Sequence, residues 1–127
     1  PVAIKYVHDS VHHLLKRRID PAPSSSREFD AVYCAGLFDY LSDKVCAKLM
    51  THFAARTHVN GTLLVTNVHS SNPEKFSMEH VLEWYLIYRN EARMEAILPD
   101  QCGAPKLYTD PTGVNVFAEA VITSPRP

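Results

Sequence analysis

Glu28-Phe29-Asp30-Ala31-Val32-Tyr33-Cys34-Ala35-Gly36-Leu37-Phe38-Asp39-Tyr40-Leu41-Ser42-Asp43 is the stretch from which the fold is read. It begins as an apolar, β-prone run and breaks at the small residues Ala35 and Gly36. It then offers Ser42 or Asp43 as the N-cap of a helix starting near Lys44. The pattern predicts a strand, a loop and a helix in direct succession. In open α/β sheets ligands sit just beyond the carboxyl ends of strands, so Cys34 to Tyr40 is the first place to look for a site.

Downstream, Val45, Leu49 and Phe53 share one helical face, and the helix is expected to end near His58. Asn60-Gly61 reads as a turn and Thr62 to Val68 as a strand. Two strands joined by a helix form a crossover unit, which makes them parallel with a right-handed connection. A polar loop from His69 to Lys75 leads into a long amphipathic segment, Met78 to about Leu98, read as helix. Beyond Pro99 the pattern turns extended. Pro105 to Asp110, the turn Pro111-Thr112-Gly113 and Val114 to Thr123 predict an antiparallel hairpin.

Upstream, Val2 to Val7 is short, β-branched and apolar, consistent with a buried strand, and His8-Asp9-Ser10 ends it with capping residues. Val11, Leu14 and Leu15 repeat at helical spacing toward Arg18. Asp20 to Ser26 has the composition of an exposed loop. The expected order is β-α-β-α-β-α-β-β, an α/β fold with a largely parallel sheet that ends in an antiparallel hairpin.

A chain of 127 residues with 46% hydrophobic and 21% charged residues suits one domain or part of one. A net charge of −1 leaves no electrostatic footprint for nucleic acid or an anionic membrane. Cys34, Cys46 and Cys102 are odd in number and unevenly spaced, which reads as reduced thiols in a cytoplasmic protein. No apolar run approaches the roughly 18 residues that span a bilayer, and the N-terminus lacks a secretion-signal layout. Pro1 runs almost at once into a strand-like segment, as expected of a chain cut from something longer or processed.

The FDAVYCAGLFDYLSD run and the terminal hairpin resemble the C-terminal half of a class I S-adenosylmethionine-dependent methyltransferase. More narrowly, Gly36 to Leu41, Asn67, Asn72-Pro73, Met78-Glu79 and Glu83 to Arg89 resemble bacterial methyltransferases linked to 3-hydroxypalmitic acid methyl ester synthesis. The resemblance extends from Ile4 to Ile122. It implies a partial Rossmann-like sheet, strands 3 to 7 of the family with their helices, and S-adenosylmethionine as cofactor. Asp9 and Ser10 would then stand at the adenine end of the cofactor, and Cys34, Ala35 and Gly36 would pass beneath its methionine part. Tyr40, Asn67, Trp84, Tyr88 and Arg89 would face the methyl acceptor.

One departure from the family matters more than the match. Gly36, Gly61, Gly103 and Gly113 are the glycines of the chain, and none forms the G-x-G of the family's cofactor loop. The acidic residue that would hold the ribose hydroxyls is missing with it. Residues 1–127 are therefore expected to be the C-terminal portion of one methyltransferase domain, with the glycine-rich N-terminal half absent. The family's first two strands would lie between Ala3–Val7 and Ala31–Cys34. Without them the former has no neighbour and the latter presents an unpaired apolar edge, an association hazard. Another polypeptide could fill the gap, copies could pair edge to edge into a homo-oligomer, or the N-terminal unit could relocate.

Each candidate residue has a functional and a structural reading. Asp39 could act as a base or cap the following helix, and Tyr40 could line a site or pack on the sheet. Arg89 could hold a carboxylate in bidentate fashion, or sit in solvent beside Glu83, Glu91 or Glu95. Glu79 could be a general base or an acid favoured by a helix N-terminus. Trp84 and Tyr88, four apart, would share one helical face as core or as acceptor pocket. Asn67, an amide at a strand end, needs partners and could find them in substrate. Cys34 has no base placed near it by sequence, which leaves a buried strand-end thiol. His8, His12 and His13 lack a third ligand at a recognised metal spacing, so no metal site is expected.

The resemblance implies methyl transfer to the carboxylate or hydroxyl oxygen of a small or lipid-like acceptor. A carboxylate needs positioning by Arg89 and Asn67, whereas a hydroxyl asks for a base such as Asp39 or Glu79. The chain alone is expected to be catalytically incomplete. The rival reading is a non-catalytic interaction or self-association module that uses the exposed sheet edge. A hydrolase is disfavoured by the lack of any G-x-S-x-G.

Overall fold

The computed structural model describes residues 1–16 and 29–123. Its elements are α1 (Val11–Lys16), β1 (Phe29–Cys34), a 3-10 turn (Phe38–Tyr40), α2 (Asp43–Arg56), β2 (Thr57–Val68), α3 (Lys75–His80), α4 (Glu91–Ala96), β3 (Lys106–Thr109) and β4 (Asn115–Val121). Arg17, Arg18 and the loop Asp20–Ser26 lie outside the described residues.

The stretch that opened the reading folds as expected. Ser42 takes an extended conformation and its hydroxyl accepts from Val45 N at 3.3 Å, which makes it the N-cap of α2. The crossover through α2 returns β2 parallel to β1, with Val32 beside Leu63 and Cys34 beside Val65. β4 then pairs antiparallel with both β2 and β3, giving the sheet order β1-β2-β4-β3. The predicted terminal hairpin is thus present, with its second strand inserted beside β2.

Three expectations are corrected. Residues 2–7 join no strand, and Val2, Ile4, Tyr6 and Val7 are all exposed. A β-prone segment needs a neighbour's backbone groups, and among the described residues no strand stands beside it. Asn60-Gly61 does not precede a strand but lies inside β2. Phe29 pairs with Thr57 and Ala31 with Thr62, so Asp30 alone opposes His58 to Gly61. Asn60 supplies the bend at φ 68, and a Cβ on Gly61 would meet the Asp30 and His58 carbonyl oxygens at 2.8 Å each.

The third correction concerns Met78 to Leu98, which is not one helix. α3 ends at His80, Glu83 adopts φ 51, and residues 84–90 run without helix until Asn90 caps α4 by accepting from Arg93 N at 3.0 Å. The run Trp84-Tyr85-Leu86-Ile87-Tyr88 is rich in β-prone aromatic and branched residues, and tertiary hydrogen bonds override its helical periodicity.

The core lies on one face of the sheet. Leu63 and Val65 of β2 with Val116 and Ala118 of β4 pack against Cys46, Leu49, Met50 and Ala54 of α2 and against Met94 and Ile97 in and just after α4. Burial of each such large side chain contributes about 1.5–3 kcal/mol. Val11, Leu14 and Leu15 dock α1 on the same cluster. The opposite face is barer: Leu64, Thr66, Tyr108 and Phe117 are only half-buried, and Tyr33 is 78% exposed. β1 is an edge strand among the described residues.

Candidate functional site at the carboxyl ends of β1 and β2

β1 ends at Cys34, and Ala35 and Gly36 leave the sheet exposed to solvent. Gly36 has φ +74, a conformation that side chains rarely adopt, and a Cβ there would stand in open space. The chain then turns through Phe38–Tyr40 into α2, and Asp39 is buried within that turn. Asp39 Oδ1 accepts from Val68 N at 2.6 Å, and the Asp39 carbonyl accepts from Ile87 N at 2.7 Å. This one residue ties the loop after β1 to the end of β2 and to the segment before α4. It does not cap α2, since Ser42 does.

Arg89 is the centre of the arrangement, with no exposed surface. Its Nη1 donates to the Phe38 carbonyl and to Asn67 Oδ1, both at 2.7 Å; its Nη2 donates to the Leu41 carbonyl at 2.6 Å; its Nε donates to Asp43 Oδ1 at 2.8 Å. Arg89 N also donates to the Val68 carbonyl at 3.1 Å. The guanidinium that the sequence offered for a substrate carboxylate is thus taken up within the protein. Burying such a charge is tolerable only with partners of this number and geometry. Asn67, fully buried, turns its amide nitrogen to the Val68 and Ile87 carbonyls at 3.0 and 2.8 Å. Its partners are protein groups.

Electrostatics follow from this packing. Burial raises the Asp39 carboxyl above its ordinary value, against the opposing Val68 N–H and Arg89 charge. Asp43, half-exposed, is held below the usual range by hydrogen bonds from Arg93 and then Arg89. Burial pushes the Cys34 thiol up to about 11, so at neutral pH it is no thiolate nucleophile.

A rim surrounds this buried knot. Trp84 Nε1 donates to the Tyr40 hydroxyl at 3.0 Å, linking the loop after β1 to the segment after α3. Both side chains are well exposed, Tyr40 at 56% and Trp84 at 46%. Phe76, Val81, Leu82 and Tyr85 are exposed beside them in sequence. Trp84 and Tyr88 lie on no helix, so the expected shared helical face does not exist. The Tyr88 hydroxyl is sealed from solvent, and its ring lies 4.5 Å from Lys75 Nζ. Burial raises the Tyr88 phenol above its ordinary value, and the Glu79 charge beside it adds to that.

Asp9 and Ser10 serve the start of α1. Asp9 Oδ1 accepts from Ser10 N at 2.9 Å and lies 3.5 Å from His13 Nδ1, while Ser10 Oγ accepts from His13 N at 3.1 Å. Among the described residues no group of three or more histidine, cysteine or acidic side chains could hold a metal ion. No helix among them is long and apolar enough to cross a membrane.

Sequence reasoning missed two contributors. Arg93 closes on Asp43 at 2.9 Å and on the Tyr88 carbonyl at 3.0 Å. His69 receives Ser71 N–H on Nδ1 at 3.0 Å, which places the proton of a neutral ring on Nε2, donated to Glu91 Oε2 at 2.9 Å. The capping pair Asn90-Glu91 was a readable signal for the start of α4, and with it for the break before it.

No family model matches this sequence, and no curated protein matches it either. Solved structures do. A protein of Bordetella parapertussis superposes with TM-score 0.68 at 13% identity, over 77% of this chain and 40% of the other. Human N-acetylserotonin methyltransferase, in complex with SAM, gives TM-score 0.62 at 17% identity, over 87% of this chain and 32% of the other. Magnesium protoporphyrin IX methyltransferase from Synechocystis, with bound SAH, gives 0.56 at 14%, over 87% and 48%. The chain therefore spans between a third and a half of the length of these proteins. At such identities the likeness establishes the fold alone: this chain carries an open α/β sheet shared with class I methyltransferases.

Proposed function

We propose that this chain is the acceptor-side portion of an S-adenosylmethionine-dependent O-methyltransferase domain, akin to the type acting in 3-hydroxypalmitic acid methyl ester synthesis. The observation that carries the reading is the carboxyl end of the β1-α2-β2 crossover. There an exposed loop with a left-handed glycine faces solvent, on a sheet shared with methyltransferases of known structure.

The residues present fit part of such a cofactor. Backbone at Cys34, Ala35 and Gly36 is open to a ligand, and Gly36 leaves room where a side chain would project. The four glycines form no glycine-rich cofactor loop, so this chain offers one wall of the site. When bound, the cofactor supplies an electrophilic methyl group. The chain's own part is to hold the acceptor against it. Asp39, Asn67 and Arg89 set the loop positions from inside, Tyr40, Trp84 and Tyr88 are assigned to the acceptor side, and Glu79 is assigned as the carboxylate that takes a proton from a hydroxyl acceptor. Asp9 and Ser10 remain proposed for the adenine end.

Calorimetric titration with S-adenosylhomocysteine tests the reading. Weak or undetectable binding to these 127 residues is expected. Tight one-to-one binding is expected once a segment carrying the glycine-rich loop is joined to them. No binding by the joined protein would overturn the proposal. A non-catalytic module that pairs through the β1 edge is the second reading, favoured by the edge position of β1 among the described residues and the 78% exposure of Tyr33. A concentration-dependent mass in sedimentation, abolished by Tyr33→Lys, would support it.

A further inference from the structure

We infer that Ser71, His69 and Glu91 form a nucleophilic serine site that takes the acyl group from small aryl esters and passes it to water. The site lies in the loop after β2 and uses no group of the proposed cofactor wall, so it goes beyond the methyl-transfer reading. It is recognised by geometry and roles, not by the G-x-S-x-G run that this sequence lacks.

Backbone contacts hold the three residues in place. His69 N donates to the Val114 carbonyl at 2.7 Å, Ser70 N to the Arg89 carbonyl at 3.2 Å, and Asn72 N turns back to the His69 carbonyl at 3.0 Å. Asn90 caps α4 and so sets Glu91 in its first turn. The imidazole side chain is only 12% exposed, which shields its bonds from competing water. Its Nε2 lies 2.9 Å from Glu91 Oε2 and its Nδ1 lies 2.6 Å from Ser71 Oγ. Ser71 itself is exposed, open to an incoming ester.

One backbone group decides where the protons are. Ser71 N–H can only donate, and it reaches Nδ1 at 3.0 Å, so in the neutral ring Nδ1 carries a lone pair and no hydrogen. The Ser71 hydroxyl, facing the same nitrogen, must then be the donor of that contact. The ring proton sits on Nε2 and is given to Glu91, whose carboxyl this hydrogen bond holds below its usual range. A hydroxyl aimed at an imidazole lone pair, with a carboxylate on the far nitrogen, supplies the nucleophile, base and orienting group of acyl transfer.

In the first step Ser71 Oγ bonds to the ester's carbonyl carbon while its proton passes to His69 Nδ1. Glu91 steadies the imidazolium. Protonation of Nδ1 costs the Ser71 N–H its acceptor, and that amide is then free to donate to the carbonyl oxygen. The bond from the acyl carbon to the phenol oxygen breaks, and the phenol leaves with the proton from Nδ1. Water then attacks the acyl-serine and gives its proton to Nδ1. Ser71 Oγ departs with that proton, and a carboxylic acid is released.

The test mixes the 127-residue chain with p-nitrophenyl acetate, follows nitrophenolate, and locates the acetyl group by peptide mass spectrometry. Ser70, also exposed, is the internal control. A burst of nitrophenolate is expected, with Ser71 acetylated about a hundredfold faster than Ser70, and Ser71→Ala should remove the burst. His69→Gln should slow Ser71 acetylation about a hundredfold. Glu91 is a positioning residue, and because Ser71 N–H also fixes the tautomer, Glu91→Gln should cost only about tenfold at Ser71 and nothing at Ser70. No burst, equal acetylation of Ser70 and Ser71, or an undiminished Ser71 rate in His69→Gln would each overturn the inference. The S-adenosylhomocysteine titration has no part in this readout, so the two proposals fail separately.

Discussion

Two groups of side chains meet at the same end of the sheet and behave in opposite ways. Arg89, Asn67 and Asp39 are buried and hydrogen-bonded to one another or to backbone, while Tyr40 and Trp84 stand in solvent joined by one bond. Both groups bridge the loop after β1 and the segment before α4. The buried group fixes where the loops are, because breaking any of its contacts strands a polar atom away from water. The exposed group can exchange its bond for one to water or ligand at little loss. Function-bearing polar residues in a sequence are thus divided by burial into those that hold the site and those free to act in it.

The strongest way to break this contrast is Arg89→Met. It removes the Arg89 donor from the Phe38 and Leu41 carbonyls, from Asn67 Oδ1 and from Asp43 and leaves the buried amide oxygen unpaired, and urea unfolding should report a loss of about 3–5 kcal/mol. A loss below about 1 kcal/mol would mean that the buried group holds nothing. Asn67→Leu comes next. It strands the Ile87 carbonyl and one Arg89 donor, and about 1–3 kcal/mol should disappear in the same assay.

Asp43→Asn tests the half-exposed margin of the knot through pH. Asp43 has a folded pKa below its unfolded value, so its contribution is present above the ordinary carboxylate range and is lost as pH falls through the lowered value. Asp39, raised by burial, works the other way, since its protonation on folding favours the native state as pH falls toward its ordinary range. Solvent screening keeps the Asp43 effect within about 1 kcal/mol at neutral pH. The variant should flatten the acid limb of a stability profile, and an unchanged limb would remove Asp43 from the account. The smallest effect belongs to the rim: Tyr40→Phe should shift the unfolding midpoint by no more than about 0.5 kcal/mol while altering Trp84 emission. A large loss of stability there would erase the distinction between the two groups.

What was legible in the chain was local. The β1 run, the Ser42 cap, the apolar face of α2 and the terminal hairpin rest on short-range physics: residue alternation, a hydroxyl that satisfies a free N–H, and turn residues between two strands. The parallel pairing of β1 with β2 followed from the length of the connection. The resemblance of residues 4–122 to a methyltransferase agrees with the fold of the solved neighbours, and the narrower acceptor type stays a proposal.

Three features were decided only by tertiary structure. Residues 2–7 have the composition of a strand but, among the described residues, no neighbour to complete their hydrogen bonds, so they stay exposed. Residues 84–90 carry helical spacing, yet the Asp39 carbonyl, the Val68 carbonyl and the Asn67 amide engage their backbone and hold them extended. Arg89 read as a surface or substrate-facing arginine, and it is the most deeply engaged side chain of the site. The sequence by itself determined which segments could be strand or helix, since that depends on groups a few residues apart. Which polar side chains are buried, and which remain available to a ligand, depends on partners some 20 to 50 residues away, and only the folded chain brings those together.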